Sequence, residues 1–153
     1  MKTFVETERK FLVKNEDFKR EAYKSYRIKQ GYISATPAST VRVRVRDDEA
    51  FLTIKGMTNA SGMSRFEWEK EISLEDAEAL FRLCVAFIDK TRHLVKNGNF
   101  VFEVDEFHGR HEGLIIAEIE LPSEDASFDK PSWLGEEVTG IAKYYNASLA
   151  ACN

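Results

Sequence analysis

Residues 40–46 read Thr-Val-Arg-Val-Arg-Val-Arg, an alternation of β-branched residues with arginine that only a strand sorts into two distinct faces. Arg42, Arg44 and Arg46 then share one side, and Val41, Val43 and Val45 the other. The same period of two recurs in four more stretches: Glu6, Glu8 and Lys10; Glu67, Glu69 and Glu71; Lys90 and Arg92; Glu118 and Glu120. Like charges two apart on a strand lie ~6.6 Å from one another, which costs roughly 0.6 kcal/mol per pair in water but about 2.5 kcal/mol at an effective dielectric of about 20. On a wet surface such rows are cheap and serve nothing. Inside a barrel they require acids facing bases across the lumen, or a charged ligand.

The rest of the chain supplies enough strands to build such a wall. Residues 5–13 alternate, and Asn15-Glu16-Asp17 opens a short helix through Phe18, Ala22 and Tyr23. Strand-like sequence returns over 26–34, where Gly31 signals a bulge or a close backbone approach. Asp47-Asp48-Glu49 turns the arginine strand into a hairpin with 51–55, which puts Phe51, Thr53 and Lys55 on one face. A loop over 56–64 leads to a strand at 66–72. Ser73 then caps a helix, with Asp76 as the return partner and Ala77, Leu80, Phe81 and Cys84 as its apolar stripe. Strands at 87–95, 100–107 and 114–121 form an antiparallel meander, joined at Asn97-Gly98-Asn99 and through a turn carrying His108 and His111, which read as surface loop residues. After a polar connection over 122–131, a last helix is expected from Thr139, with Val138, Ile141, Ala142, Tyr145 and Leu149 along one side. Trp68 and Trp133 read as wall or core packing. About eight short strands with few helices between them argue for a mainly β, antiparallel sheet or barrel, and closure would leave no edges.

With 153 residues, 43% of them hydrophobic, the chain can bury one core, so a single domain over 1–153 is expected. Cys84 and Cys152 have no second thiol nearby in sequence. They form neither a disulfide framework nor a metal knuckle, and read as reduced and structural. Net charge of −4 argues against general nucleic-acid binding. The polar start contains no signal core and no later run suits a bilayer, so a soluble, cytoplasmic protein is expected.

Two readings of the charged faces compete. The plainer one makes each the solvent side of a sheet, with Val41, Val43 and Val45 inside. Segregation by sign favours the other, in which Glu6, Glu8, Glu67, Glu69, Glu71, Glu103, Asp105, Glu118 and Glu120 face inward with Lys10, Arg42, Arg44, Arg46, Lys55, Lys90 and Arg92. Converging guanidinium and ammonium groups suit a phosphate chain, and clustered carboxylates suit a hard divalent cation that bridges to phosphate. Together they suit metal-assisted attack on a phosphoanhydride.

The opening Glu6-Thr7-Glu8-Arg9-Lys10 resembles the E-x-E-x-K motif of the CYTH proteins, the triphosphate tunnel metalloenzymes. The resemblance continues through Gln30-Gly31-Tyr32, Arg42 and Arg44, Leu52-Thr53-Ile54-Lys55-Gly56, Ser64-Arg65, Lys90-Thr91-Arg92, Glu103 and Asp105, residues 117–121 and residues 133–139. It implies an eight-stranded antiparallel barrel with the charged face inward, the lumen holding a triphosphate. It places metal ligation by magnesium or manganese on Glu6, Glu8, Glu118 and Glu120, with Asp105 and Glu69 supporting a second metal or the attacking water. Phosphate binding falls on Lys10, Arg42, Arg44, Lys55, Lys90 and Arg92, and Arg46 lies beyond the family's arginine pair. Relatives also suggest a homodimer. His93 stands where relatives often have tyrosine, and residues 140–144 lack the charged approach many relatives show.

The expected activity is hydrolysis of inorganic tripolyphosphate, with Lys90 stabilising the leaving phosphate and Glu69 or Asp105 orienting water. The alternatives are adenylate cyclisation or thiamine triphosphate hydrolysis in the same tunnel, and a polyphosphate-binding module without turnover. The last leaves the surplus of carboxylates without a purpose, since acids repel an anionic ligand.

Overall fold

The computed structural model describes residues 3–151. Their alternating stretches become nine antiparallel strands: β1 (Val5–Val13), β2 (Lys24–Ala35), β3 (Ser39–Arg46), β4 (Glu49–Gly56), β5 (Ser64–Ile72), β6 (Ala86–Asn97), β7 (Phe100–Phe107), β8 (Ile115–Glu120) and β9 (Leu134–Glu137). Hydrogen bonding follows the order β5-β4-β3-β2-β6-β7-β8-β1. β1 returns to β5 through Val5 opposite Phe66, Glu6 opposite Arg65 and Thr7 opposite Ser64. Eight strands thus close into the barrel that the sequence predicts. β9 adds to β1 beyond the seam, opposite Phe11 and Val13.

The faces are inverted relative to an ordinary small barrel. Val43 and Ala50 are buried outside the wall of β3 and β4, under Ala77 of helix α2 (Leu74–Phe81, between β5 and β6). Outside β1, β6, β7 and β8, a larger core joins Phe11, Val95, Phe102, Val104 and Ile119 to Phe18 of the short helix α1 (Phe18–Glu21) and to Trp133 and Leu134. Phe102 packs edge-on to Trp133 at 5.3 Å between ring centroids and to Phe128 at 5.7 Å. The polar connection of residues 122–131 and β9 therefore act as cladding. Trp133 is fully buried in that cladding, and Trp68 is half-buried.

Local signals act as expected at several positions. The Ser73 hydroxyl accepts the Asp76 amide at 3.0 Å and starts α2. The helix ends at Phe81, with Cys84 in the turn beyond it. Asp47 takes the left-handed conformation that the tight β3–β4 turn needs, with φ 55°. Gly31 is a close approach: a Cβ there would stand 2.7 Å from Cys84 Sγ. Cys84 is a half-buried free thiol, and Cys152 lies outside the described residues.

The C-terminal region differs from the expectation. No helix starts at Thr139. Val138 still donates its amide to the Lys10 carbonyl, Gly140 turns the chain at φ 75°, and a single 3-10 turn (Ala142–Tyr144) precedes helix α3 (Asn146–Ala151). Gly140 packs against Gly62 of the β4–β5 loop so closely that a Cβ on Gly62 would lie 2.6 Å from the Gly140 Cα. Side-chain periodicity carries no record of such a backbone contact. Among the described residues no helix is long and apolar enough to cross a membrane.

Because the apolar core lies outside the wall, Phe102→Ala should destabilise the protein by about 3–5 kcal/mol, as for a fully packed core aromatic. Urea unfolding would measure this, and a loss below about 1 kcal/mol would contradict the inverted core.

Candidate active site

The inward residues of the strands surround a cavity of about 600 Å³. Glu6, Glu8 and Lys10 of β1, Arg42, Arg44 and Arg46 of β3, Lys55 of β4, Glu67 and Glu69 of β5, Lys90 and Arg92 of β6, Glu103 of β7, and Glu118 and Glu120 of β8 all line it. Of the inward candidates, Glu71 and Asp105 do not. Glu71 is exposed, and Asp105 is fully buried behind the lining. Register explains the convergence, because Glu8 stands opposite Glu120, Lys10 opposite Glu118, and Lys55 opposite Glu67.

The charges are distributed into local clusters. Lys55 Nζ lies 3.0 Å from Glu6 and 3.3 Å from Glu67, and Arg65 Nε reaches Glu6 at 3.4 Å. Burial pushes the Glu6 carboxyl up, yet the charges of Lys55 and Arg65 and a hydrogen bond with Glu67 outweigh it and bring the group down to about 2. Glu67 in turn goes up to about 7, through burial and the neighbouring charge of Glu6, with Lys55 opposing. Lys10 Nζ sits 3.4 Å from Glu118 and 3.7 Å from Glu8. Burial and the charge of Glu118 raise Glu8 to about 8, while Glu118 is held well below the usual carboxylate range despite its burial, by Lys10, Arg92 and Lys90 and by a hydrogen bond from Glu8.

Behind this layer, Asp105 accepts from Arg92 at 2.8 and 2.9 Å and pairs with Lys90 at 2.7 Å. Glu103 takes a further Arg92 hydrogen at 3.1 Å. Burial lowers Lys90 to about 7, reinforced by the positive charges of Arg92 and Arg44 and only partly countered by Asp105. Arg44 falls to about 9, through burial and then the charges of Arg42 and Arg92. Arg42 donates to the Thr53 hydroxyl at 3.2 Å, Thr53 donates to Glu69 at 2.7 Å, and the Arg42 Nε is buried with no protein acceptor. Arg46 stands at the rim, over the rings of Tyr26 and Phe51.

Residues outside the predicted set complete the site. Arg65 continues the alternation of Glu67 and Glu69 one step toward the N-terminus, a signal hidden when only acids are counted. Gln30, Tyr145 and Asn146 carry no charge pattern. Tyr145 places its ring 5.5 Å from Lys10 Nζ and 5.9 Å from the Arg65 guanidinium carbon. α3 lines one end of the cavity through Asn146, Ala147, Ser148 and Ala151, and seats Leu149 and Ala150 against Tyr32, Ile88, Phe107 and Ile116. His108 and His111 are half-buried in the turn after β7, where His108 meets the Thr91 hydroxyl and His111 meets the Leu149 carbonyl.

Among the described residues, no three His, Cys, Asp or Glu side chains are gathered as a metal cluster. The acids lean instead on Lys10 and Lys55. Their chemistry nevertheless fits a hard cation: Glu8 and Glu118 share a proton by hydrogen bond, Glu120 is raised by burial and by the charge of Glu6, and a cation between oxygens would replace that proton.

Residues 5–151 match the family model described as CYTH domain. A protein from Acetivibrio thermocellus named inorganic triphosphatase is 47% identical over 146 residues, covering 94% of this chain and 92% of its own. One of the same name from Nitrosomonas europaea is 37% identical over 152 residues, covering 95% and 96%. A crystal structure of an inorganic triphosphatase superposes with a TM-score of 0.69 at 33% identity, over 100% of this chain and 97% of the other.

The raised Glu8 carboxyl sets a sign for stability. The folded, metal-free protein holds this proton more tightly than the unfolded chain, so the Glu8 contribution is full below the ordinary value of 4.5 and is lost as pH rises to about 8. Glu8→Gln has no proton to lose, and its melting temperature should therefore fall less than that of the natural protein between about pH 5 and 8. Calorimetry in metal-free buffer tests this, and parallel pH profiles would refute it.

Proposed function

The chain belongs to the CYTH domain family, and on that premise we propose that it hydrolyses inorganic tripolyphosphate to pyrophosphate and orthophosphate with magnesium or manganese. The observation that carries this reading is the convergence of six cations, Lys10, Arg42, Arg44, Lys55, Lys90 and Arg92, on one cavity whose other lining includes Glu6, Glu8, Glu118 and Glu120. Cations alone would serve any anion binder. Acids set among them serve a metal enzyme.

In this reading the arginines and lysines hold the phosphate chain extended, with the unpartnered Arg42 Nε among its donors. Glu6, Glu8, Glu118 and Glu120 would hold the divalent cation, which would supply Lewis-acid stabilisation of charge developing on the transferred phosphoryl group. Glu69, half-exposed at the end of the Thr53 hydrogen bond, orients the attacking water. Asp105 has both oxygens engaged by Lys90 and Arg92, and so acts by holding those two cations toward the lumen. Lys90, lowered to about 7, gives a proton to the leaving phosphate oxygen near neutral pH and stabilises it. The soluble cytoplasm is the compartment that suits such a hydrolase.

Phosphate release from tripolyphosphate, pyrophosphate, ATP and thiamine triphosphate, each with and without magnesium or manganese, is the direct test. Tripolyphosphate should be cleaved only when metal is added, and pyrophosphate should persist as product. Cyclic AMP from ATP would instead mark a cyclase, and tight binding with no release would mark a binding module. Glu118→Ala should lower the metal-dependent rate by about 10²-fold or more, and full retained activity would sink the metal assignment.

A further inference from the structure

Gln30 is fully buried, with its side chain on the inner face of β2 between two of the cations assigned to phosphate. Its Oε1 accepts from Arg44 Nε at 3.2 Å, and its Nε2 donates to Tyr32 Oη and to Asn146 Oδ1, both at 3.1 Å. The Asn146 oxygen also accepts from Lys90 Nζ at 2.7 Å. Chemistry dictates both amide orientations. Arg44 only donates, so the Gln30 oxygen faces it. The Lys90 ammonium only donates, so the Asn146 oxygen faces that.

We propose that the Gln30–Asn146 amide pair is a positioning relay that fixes Lys90 and Arg44 against one another, making α3 part of the phosphate grip. The proposal rests on the triphosphatase reading. An ammonium held by a single acceptor swings about its last bond. Asp105 and Asn146 together take two of the three Lys90 hydrogens, so the direction of the third is set before substrate arrives. The same chain of donors and acceptors reaches Arg44, whose neighbour-crowded guanidinium would otherwise turn away from Arg42 and Arg92.

The packing of α3 does not depend on Asn146. Leu149 and Ala150 are buried in the apolar cluster at that end of the barrel, and the last carbonyls of the helix accept from Arg110 at 3.0 Å and from His111 at 2.7 Å. Loss of the Asn146 oxygen therefore removes a Lys90 acceptor while the helix keeps its seat.

Three proteins decide the matter: the natural chain, Asn146→Ala and Asn146→Asp. Asn146→Ala should lower kcat for tripolyphosphate by about tenfold or more while KM shifts by less than about threefold, because the charge that binds substrate remains and only its direction is lost. Asn146→Asp keeps an acceptor at the same place and should give a kcat above that of Asn146→Ala, with KM raised by the negative charge it adds beside the phosphate site. Apart from turnover, the Lys90 ammonium should give a proton–nitrogen NMR correlation at about pH 6 in the natural protein and in Asn146→Asp, and lose it to solvent exchange in Asn146→Ala. Unchanged kcat in Asn146→Ala, equal damage in both variants, or an ammonium signal indifferent to position 146 would each overturn the relay. Absence of phosphate release from the natural protein would overturn the triphosphatase reading instead, and the ammonium spectra would still decide the relay.

Discussion

A closed wall of eight strands has two faces, and here charge occupies the inner one. The apolar face must then be buried from outside, since bare valines and phenylalanines around a cylinder would associate or aggregate. α2 covers Val43 and Ala50, while α1 and the segment around Phe128, Trp133 and Leu134 cover Phe11, Phe102 and Ile119. α1, α2 and the segment around Phe128, Trp133 and Leu134 are consequences of that one inversion. Without them the wall would lack a hydrophobic core.

The inner face solves the opposite problem. So many ionised groups in a cavity of about 600 Å³ are tolerated because rows of acids meet rows of bases in close pairs, with Glu6 against Lys55, Glu118 against Lys10, and Asp105 against Lys90 and Arg92. Burial still leaves its mark where like charges crowd together, on Glu8, Glu67 and Lys90. Those groups sit near the midpoint of their titration at neutral pH, where protonation responds most readily to an incoming ion. The site is organised in advance, and its remaining electrostatic tension is concentrated in a few residues.

Much of this was legible in the chain because a period of two leaves a plain trace. The arginine strand, the hairpin at Asp47, the Ser73 cap and the meander of β6 to β8 all follow from local pattern, and sign segregation pointed the charged rows inward. What left no trace depends on backbone or on neutral side chains. β9 is four residues with a glycine and two glutamates, too short for any period to register. The delayed start of α3 depends on Gly140 meeting Gly62, residues far apart in sequence. Asp105 has the right parity for the lumen but sits behind Lys90 and Arg92, a depth that alternation does not encode. Gln30 and Asn146 are neutral and escape a search for charge; Gln30 stands out only within the Gln30-Gly31-Tyr32 stretch of the resemblance, and the roles of both come from their partners.

The seam between β1 and β5 closes the ring through three residue pairs, whereas β2 and β6 run together over nine. Glu6 stands on one side of that seam, with Arg65 of β5 and Lys55 of β4 on the other. These ion pairs act as a clasp across the weakest joint of the cylinder. Any anion that draws Lys55 and Arg65 toward itself competes with Glu6 for them, so filling the tunnel and holding the ring shut draw on the same two cations.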